Sequence, residues 1–438
     1  MTYAEAVSRL LSLRGGEQVG MRPGRERIDA LLDALGHPEE RFRMIQVGGT
    51  NGKGSVAVMI AAILKAAGLR VGLYTSPHLC SFRERIRVNA VAISQNDVAD
   101  GVDALEPLIA RLDATMFEAA TALAIDHFAR QAVDLAVLEV GMGGRLDATT
   151  VGAPVVEVVT RVDYDHQAHL GWRLEEIARE KAAIIRSGSA VAAAQPPEVE
   201  AVIEDQAERS GVPLALQGRQ LFVSVDGRDL SGQRLTLSGP DWRLRELFLP
   251  LLGSFQPDNA LLAVAAVKSL AAHGIIVSDE AVRRGLATVS WPGRFQLAGR
   301  APAVVLDGAH NPGGAQALAT SLCDLFGEAE KTLILGISRD KDKAGILKVL
   351  VPLATRLILT ESSNPRATPA RELRDLLPPT EARVEVTGSV SEALPLALTP
   401  PRSPIVCVAG SLFCVADALA QTCSRQDSPC GIERGLIA

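Results

Sequence analysis

Short apolar runs alternate with amphipathic stretches along most of the chain. Residues 44–47 read as a buried strand, followed by a glycine-rich turn and a helix over about 55–67. Residues 70–74 read as another strand, 135–140 and 155–160 as strands rich in β-branched residues, and 115–130 have helical spacing. This βα alternation predicts a mostly parallel sheet covered by helices, an α/β fold. Residues 217–250 break the rhythm. There, 221–225 and 234–237 alternate apolar with polar positions between Gly and Asp turns, which predicts a small antiparallel insert. A helix follows over 260–272.

The βα rhythm restarts after Trp291-Pro-Gly-Arg294, with strands predicted at 304–307, 332–336, 356–360, 383–386 and 405–409. Five strands in about 110 residues make a second, smaller doubly wound unit. The division is expected near 295–300, giving units of 1–296 and 297–438. The polar tail from Ser424 is expected to fray.

Composition narrows the function classes. The 438 residues are 47% apolar and 22% charged, as in an ordinary globular chain. A formal net charge of −6 supplies no basic field for a nucleic-acid backbone, and 4% aromatics supply few stacking platforms. The longest uninterrupted apolar run is nine residues, 56–64. A spanning helix needs about 20, so no membrane partner is expected. The first ten residues lack a basic head and apolar stretch, so no export signal is expected. Six cysteines without a CxxC pair point to free or buried thiols, a reducing cytoplasm and no zinc.

The chemistry concentrates after the strands. Gly48-Gly-Thr-Asn-Gly-Lys-Gly-Ser55 joins a strand to a helix. Such a turn aims backbone N–H groups and Lys53 at phosphate oxygens. A P-loop usually places Ser or Thr directly after the Lys, to hold Mg²⁺; here Gly54 stands there. Either Ser55 reaches the metal or another hydroxyl does, Ser76 in Tyr74-Thr-Ser-Pro-His78 being a candidate. Glu139 ends a strand before Gly141-Met-Gly-Gly-Arg-Leu-Asp147, where a carboxylate is placed for Mg²⁺ beside phosphates. His166 follows the next strand, in Thr160-Arg-Val-Asp-Tyr-Asp-His166. Lys181, four residues beyond Ile177, reads by spacing alone as a snorkelling surface lysine. Asp307-Gly-Ala-His-Asn-Pro312 ends the first strand of the second unit, facing a cleft between units, and also reads as turn and cap chemistry. Arg294 can reach phosphate from the linker.

Together these segments resemble the folylpolyglutamate synthase/dihydrofolate synthase family of the Mur ligase superfamily, over nearly the whole chain. The resemblance is carried by Gly49-Thr-Asn-Gly-Lys-Gly-Ser55, Thr75-Ser-Pro-His-Leu79, Glu139-Val-Gly-Met-Gly-Gly-Arg-Leu-Asp-Ala-Thr149, Asp165-His166, Glu180-Lys-Ala182, Pro292-Gly-Arg294 and Asp307-Gly-Ala-His-Asn-Pro312. It implies a P-loop-containing Mur-ligase-like ATPase domain over 1–296 and a Rossmann-like glutamate-ligase domain over 297–438. It implies an ATP-dependent ligase that joins L-glutamate to a folate-type carboxylate through an acyl phosphate. Thr50, Asn51, Gly52, Lys53, Gly54 and Ser55 would hold ATP phosphates, with Asn259, Arg294 and Asp307 also on ATP. Ser76 and Glu139 would bind one Mg²⁺ and His166 a second.

Lys181 matches the family's N-carbamylated lysine, which reverses the surface reading. CO₂ adds only to a neutral amine, so its pKa must be depressed. His310 and Ser411 would serve the glutamate site. Met116, Phe117, Leu146, Asp147 and Ala148 would contact the pterin-bearing substrate, although Phe117 reads equally as core. Two departures stand out. Arg25 replaces an apolar residue where the pteroate moiety is expected, and Ala183 stands where Gly is common.

Two other readings remain. A Mur-type ligase acting on cell-wall nucleotide precursors carries a separate N-terminal domain, for which the 47 residues before Gly48 are too few. A nucleotide-binding regulatory protein would turn over ATP without needing glutamate and an acceptor. The expected partners are small molecules alone, and the expected state is a monomer.

Overall fold

The computed structural model describes residues 1–13 and 24–422; the tail expected to fray lies outside them. An eight-stranded sheet runs Val91–Ala92, Ile86–Val88, Val71–Tyr74, Leu135–Glu139, Arg43–Gly48, Val156–Val159, Ser189–Ala192, Leu214–Leu216 from edge to edge. The last six strands in that order pair in parallel, and the two at the first edge are antiparallel. Its central strands are buried on both faces, as their continuous apolar runs require. On one face lies the helix Lys53–Ala66, packed against Gln256–Ser269 and Asp279–Ala287. On the other lie Tyr3–Ser12, Glu26–Ala34, Gln95–Leu112 and Met116–Arg130, closed over their own apolar cluster.

Three antiparallel strands, Phe222–Asp229, Gly232–Gly239 and Trp242–Leu249, form the insert. Leu235, Leu237, Leu244 and Leu247 from it are buried with the helix Gln256–Ser269. The insert is therefore one wall of the core rather than a free flap.

The second sheet has six strands, in the order Gln296–Arg300, Ala303–Leu306, Ile405–Ala409, Lys331–Leu335, Arg356–Leu359, Arg383–Val386. The strand absent from the sequence reading is Gln296–Arg300, antiparallel at the edge. It carries a register shift and little apolar alternation, so periodicity does not reveal it. Cys323, Cys407 and Cys414 are free. Cys80 is disulfide-bonded, which corrects the expectation of free thiols at that position. Among the described residues no helix is long and apolar enough to cross a membrane.

Candidate active site

The strand Arg43–Gly48 ends in the turn that opens the helix Lys53–Ala66, with Gly52 as N-cap. Gly49 and Gly52 sit at φ +126° and +94°, backbone that side-chain-bearing residues resist. A Cβ at Gly52 would collide with Asn259 Oδ1, so the glycine lets Asn259 lie against the turn. Thr50 Oγ1 donates to the Asp163 carbonyl (3.1 Å) and accepts from the Asp163 N–H (3.0 Å), pinning the turn to the next strand's loop. Lys53 Nζ donates to the Gly49 and Thr50 carbonyls at 3.2 and 3.0 Å. Burial lowers the Lys53 pKa, opposed by the Glu139 charge.

Glu139 ends its strand 5% exposed. Its Oε2 accepts the Ser76 backbone N–H at 3.0 Å, which brings the two predicted metal ligands together. Burial raises the Glu139 pKa, with Lys53 and the Ser76 N–H pulling the other way. His166 stands in left-handed backbone at the start of a short helix, Gln167–Leu170. Burial, with the charges of Lys341, Lys181 and Lys53, brings its pKa down to about 3 against the pull of Asp165. The imidazole is thus neutral near pH 7, as a metal ligand must be.

Lys181, on the helix Leu174–Ala182, is 3% exposed, so the surface reading from spacing fails. The helix turns that face into the sheet rather than toward water. Its Nζ donates to the Gly49 carbonyl at 2.9 Å. Burial and the Lys53 charge bring its pKa down to about 7.

The second unit completes the site. Asp307 accepts N–H bonds from Phe295 (2.7 Å) and Ala309 (2.8 Å), so it shapes the turn under Arg294. Burial raises its pKa, and the Arg294 charge opposes that. The Arg294 side chain runs so close over Gly308 that a Cβ there would strike it. His310 Nδ1 donates to the Gly308 carbonyl (2.8 Å), which leaves Nε2 toward Asp165 at 3.5 Å. Ser411 is buried, its Oγ accepting the Phe413 N–H at 3.1 Å.

One cavity of about 870 Å³ is lined by both units. Thr50, Asn51, Gly52, Lys53, Gly54, Ser55, Ser76, Glu139, His166, Lys181, Asn259, Arg294, Asp307, His310 and Ser411 all line it, as do Phe117, Leu146, Asp147 and Ala148. Phe117 also packs on Tyr74, with ring centroids 6.0 Å apart, so both of its readings hold. Two expectations are corrected. Met116 is wholly buried in the helical cluster and does not line the cavity, because it points inward one residue past the cap Thr115. Arg25 does not line the cavity either: it precedes the helix Glu26–Ala34 and pairs with Asp29 at 3.2 Å, while Gly24 faces the cavity.

Sequence reasoning singled out Asn51, Asp165 and Asn311 but missed Lys341 and the pairings that join the two units. Asp165 accepts from Lys341 Nζ (2.7 Å) and Asn311 Nδ2 (3.2 Å). Asn51 and Asn311 exchange amide hydrogen bonds at 3.2 and 3.0 Å. The signal for Lys341 was present: it follows the strand Lys331–Leu335, at the carboxyl end where ligands gather in such sheets.

Known proteins match the chain over most of its length. Residues 47–267 match the Mur ligase middle domain, and residues 293–412 match the Mur ligase glutamate ligase domain. The chain is 35% identical to a dihydrofolate synthase/folylpolyglutamate synthase of Bacillus subtilis, over 83% of this chain and 86% of that one. It is 37% identical to a probable bifunctional folylpolyglutamate synthase/dihydropteroate synthase of Halobacterium salinarum, over 95% of this chain. The chain spans about half the length of that relative (51%). A crystal structure of the Mycobacterium tuberculosis folylpolyglutamate synthase, complexed with ADP and AMPPCP, superposes with a TM-score of 0.87 at 34% identity. It covers 96% of this chain and 98% of that one.

Proposed function

Because the chain belongs to the folylpolyglutamate synthase/dihydrofolate synthase family of Mur ligases, we propose that it uses ATP to join L-glutamate to the carboxylate of a folate-type acceptor. The acceptors are reduced folates, extended as polyglutamates, and dihydropteroate, converted to dihydrofolate. The protein works as a monomer in the cytoplasm, on small molecules alone. The observation that carries this reading is that a phosphate-binding turn and the Arg294–Asp307–His310 segment open on the same cavity.

An acceptor carboxylate oxygen attacks the γ-phosphorus, the bond to ADP breaks, and an acyl phosphate forms. The free amine of glutamate then attacks the acyl carbon, phosphate leaves, and the amine gives up a proton. Lys53 and Arg294 place positive charge where the transferring group gathers negative charge. Asn259 lies against the turn and orients the nucleotide. His310 and Ser411 hold glutamate with its amine toward the acyl carbon. Leu146, Ala148 and Phe117 give the pterin-bearing acceptor apolar surface, and Asp147 fixes the loop that carries Leu146 and Ala148. Water kept out by two facing units spares the acyl phosphate from hydrolysis.

The donor set fits Mg²⁺. Glu139 is a buried carboxylate whose desolvation a cation would offset, Ser76 is tied to it through its backbone N–H and would offer its hydroxyl as a second donor, and His166 is a neutral nitrogen. Bound there, Mg²⁺ supplies charge neutralisation to the phosphate oxygens. Lys181 is N-carbamylated: its buried amine, near pKa 7, is the neutral form CO₂ requires, and the product is a carboxylate-like group facing the cavity.

The test is a substrate panel with purified protein: dihydropteroate and reduced folates, each with and without glutamate. ADP release should require ATP, glutamate and one acceptor together. Turnover indifferent to glutamate and acceptor would sink the ligase reading.

A further inference from the structure

We propose that Gln46 and Arg186, neither of which reaches the cavity, are positioning residues that fix the acceptor-binding loop, residues 141–150. The inference rests on the ligase reading above and names what holds its acceptor site in shape. Gln46 lies on the central strand Arg43–Gly48 and is fully buried. Its Oε1 accepts from Arg186 Nη2 at 3.2 Å, and its Nε2 donates to Thr150 Oγ1 at 2.7 Å and Thr149 Oγ1 at 3.3 Å.

The direction of these bonds follows from chemistry. A guanidinium can only donate, so Arg186 settles which way the Gln46 amide is turned. The amide NH₂ then faces the two threonines, and both hydroxyls must accept from it. Each hydroxyl proton is left for the loop. Thr149 Oγ1 donates to Asp147 Oδ1 at 2.6 Å, and Thr150 Oγ1 donates to the Gly144 carbonyl at 2.7 Å. Asp147 also gathers the Thr149 N–H on Oδ1 and the Met142 N–H on Oδ2, each at 2.9 Å. The chain thus runs one way, from guanidinium through amide and hydroxyls to the carboxylate about which the loop is folded. Arg186 is itself held by the Gly152 carbonyl at 2.5 Å and the Val151 carbonyl at 3.0 Å. Residues 141–148 of this loop, Leu146, Asp147 and Ala148 among them, line the cavity.

Gln46→Glu tests the polarity. It keeps the size of Gln46 and still pairs with Arg186, but offers the threonines no donor. Their hydroxyls would turn toward the new carboxylate and release Asp147 and Gly144. The KM for dihydropteroate or reduced folate should rise about tenfold or more, the scale of small misplacements at a reacting geometry. The KM for ATP should stay within about twofold, since uniform loss of binding is confined to one substrate. Thr149→Val preserves shape while removing the hydroxyl, should give the same split, and serves where Gln46→Glu fails to fold. A folded Gln46→Glu or Thr149→Val enzyme with wild-type acceptor KM, or with ATP and acceptor KM rising together, overturns the inference. Wild-type protein that ligates neither acceptor overturns the ligase reading itself, so the two failures are told apart.

Discussion

At the scale of single residues, Lys181 shows how a fold prepares an amine for chemistry. It is buried, its Nζ bonds a neutral carbonyl, and its pKa falls from 10.5 to about 7. Between about 7 and 10.5 the unfolded chain holds more protons at this position than the folded one. The group therefore makes stability rise with pH across that window. Lys181→Met should flatten that rise in urea unfolding curves taken from pH 7 to 10 in CO₂-free buffer, where the amine is unmodified, while in CO₂-equilibrated assays ligation falls about 100-fold or more. An unchanged turnover would remove Lys181 from the site. Met116 and Phe117 are neighbours with opposite fates, one in the core and one at the cavity. Met116→Ala should lower stability by about 2–5 kcal/mol, the range for emptying a packed site, and leave the acceptor KM alone. Phe117→Ala should raise that KM. The reverse pattern would restore Met116 to the substrate.

At the scale of elements, burial of a carboxylate within a strand has its own signature. Glu157, on Val156–Val159, is fully buried, and its Oε2 has no hydrogen-bond partner. Burial raises its pKa to about 7, against the bonds from Ser187 and Arg186. A folded value above the unfolded one means the native state binds more protons between about 4.5 and 7, so stability falls as pH rises through that window. Glu157→Gln should remove this fall and stabilise the protein at pH 8 by up to about 3 kcal/mol, seen in chemical denaturation. A steeper fall would contradict it. The same strand was readable in the sequence because β-branched residues fill it. Ser189–Ala192 and Leu214–Leu216 were not, since short strands built largely of Ala and Leu lack β propensity and alternation. Helix starts were displaced by two to four residues where Gly52 and Gln256–Pro257, rather than an apolar residue, open the helix.

At the scale of the whole molecule, residues within one strand–turn–helix unit were legible, because the carboxyl-end rule applies to each unit separately. Contacts between units were not. Asp165 and Lys341 are 176 positions apart, and no local pattern pairs them. Yet Asp165 gathers Lys341, His310 and Asn311, all from the second unit, against a surface belonging to the first. The His310 contact and the Lys341 charge oppose its burial, and the Asp165 carboxylate is held well below the usual range, so it is charged at working pH. Lys341 is 8% exposed, so the pair is shielded from screening salt. Removing one partner from such a pair leaves an uncompensated charge, a loss on the order of 3–5 kcal/mol that falls on the seam rather than on either core. Lys341→Met should therefore separate the units without unfolding them. Small-angle scattering should show a larger radius of gyration, and calorimetry should resolve two transitions. Because a parted seam admits water to the acyl phosphate, ADP formed per ligated product should rise above one-to-one. A compact variant that still couples ATP to ligation stoichiometrically would show that Asp165 holds the units together without Lys341.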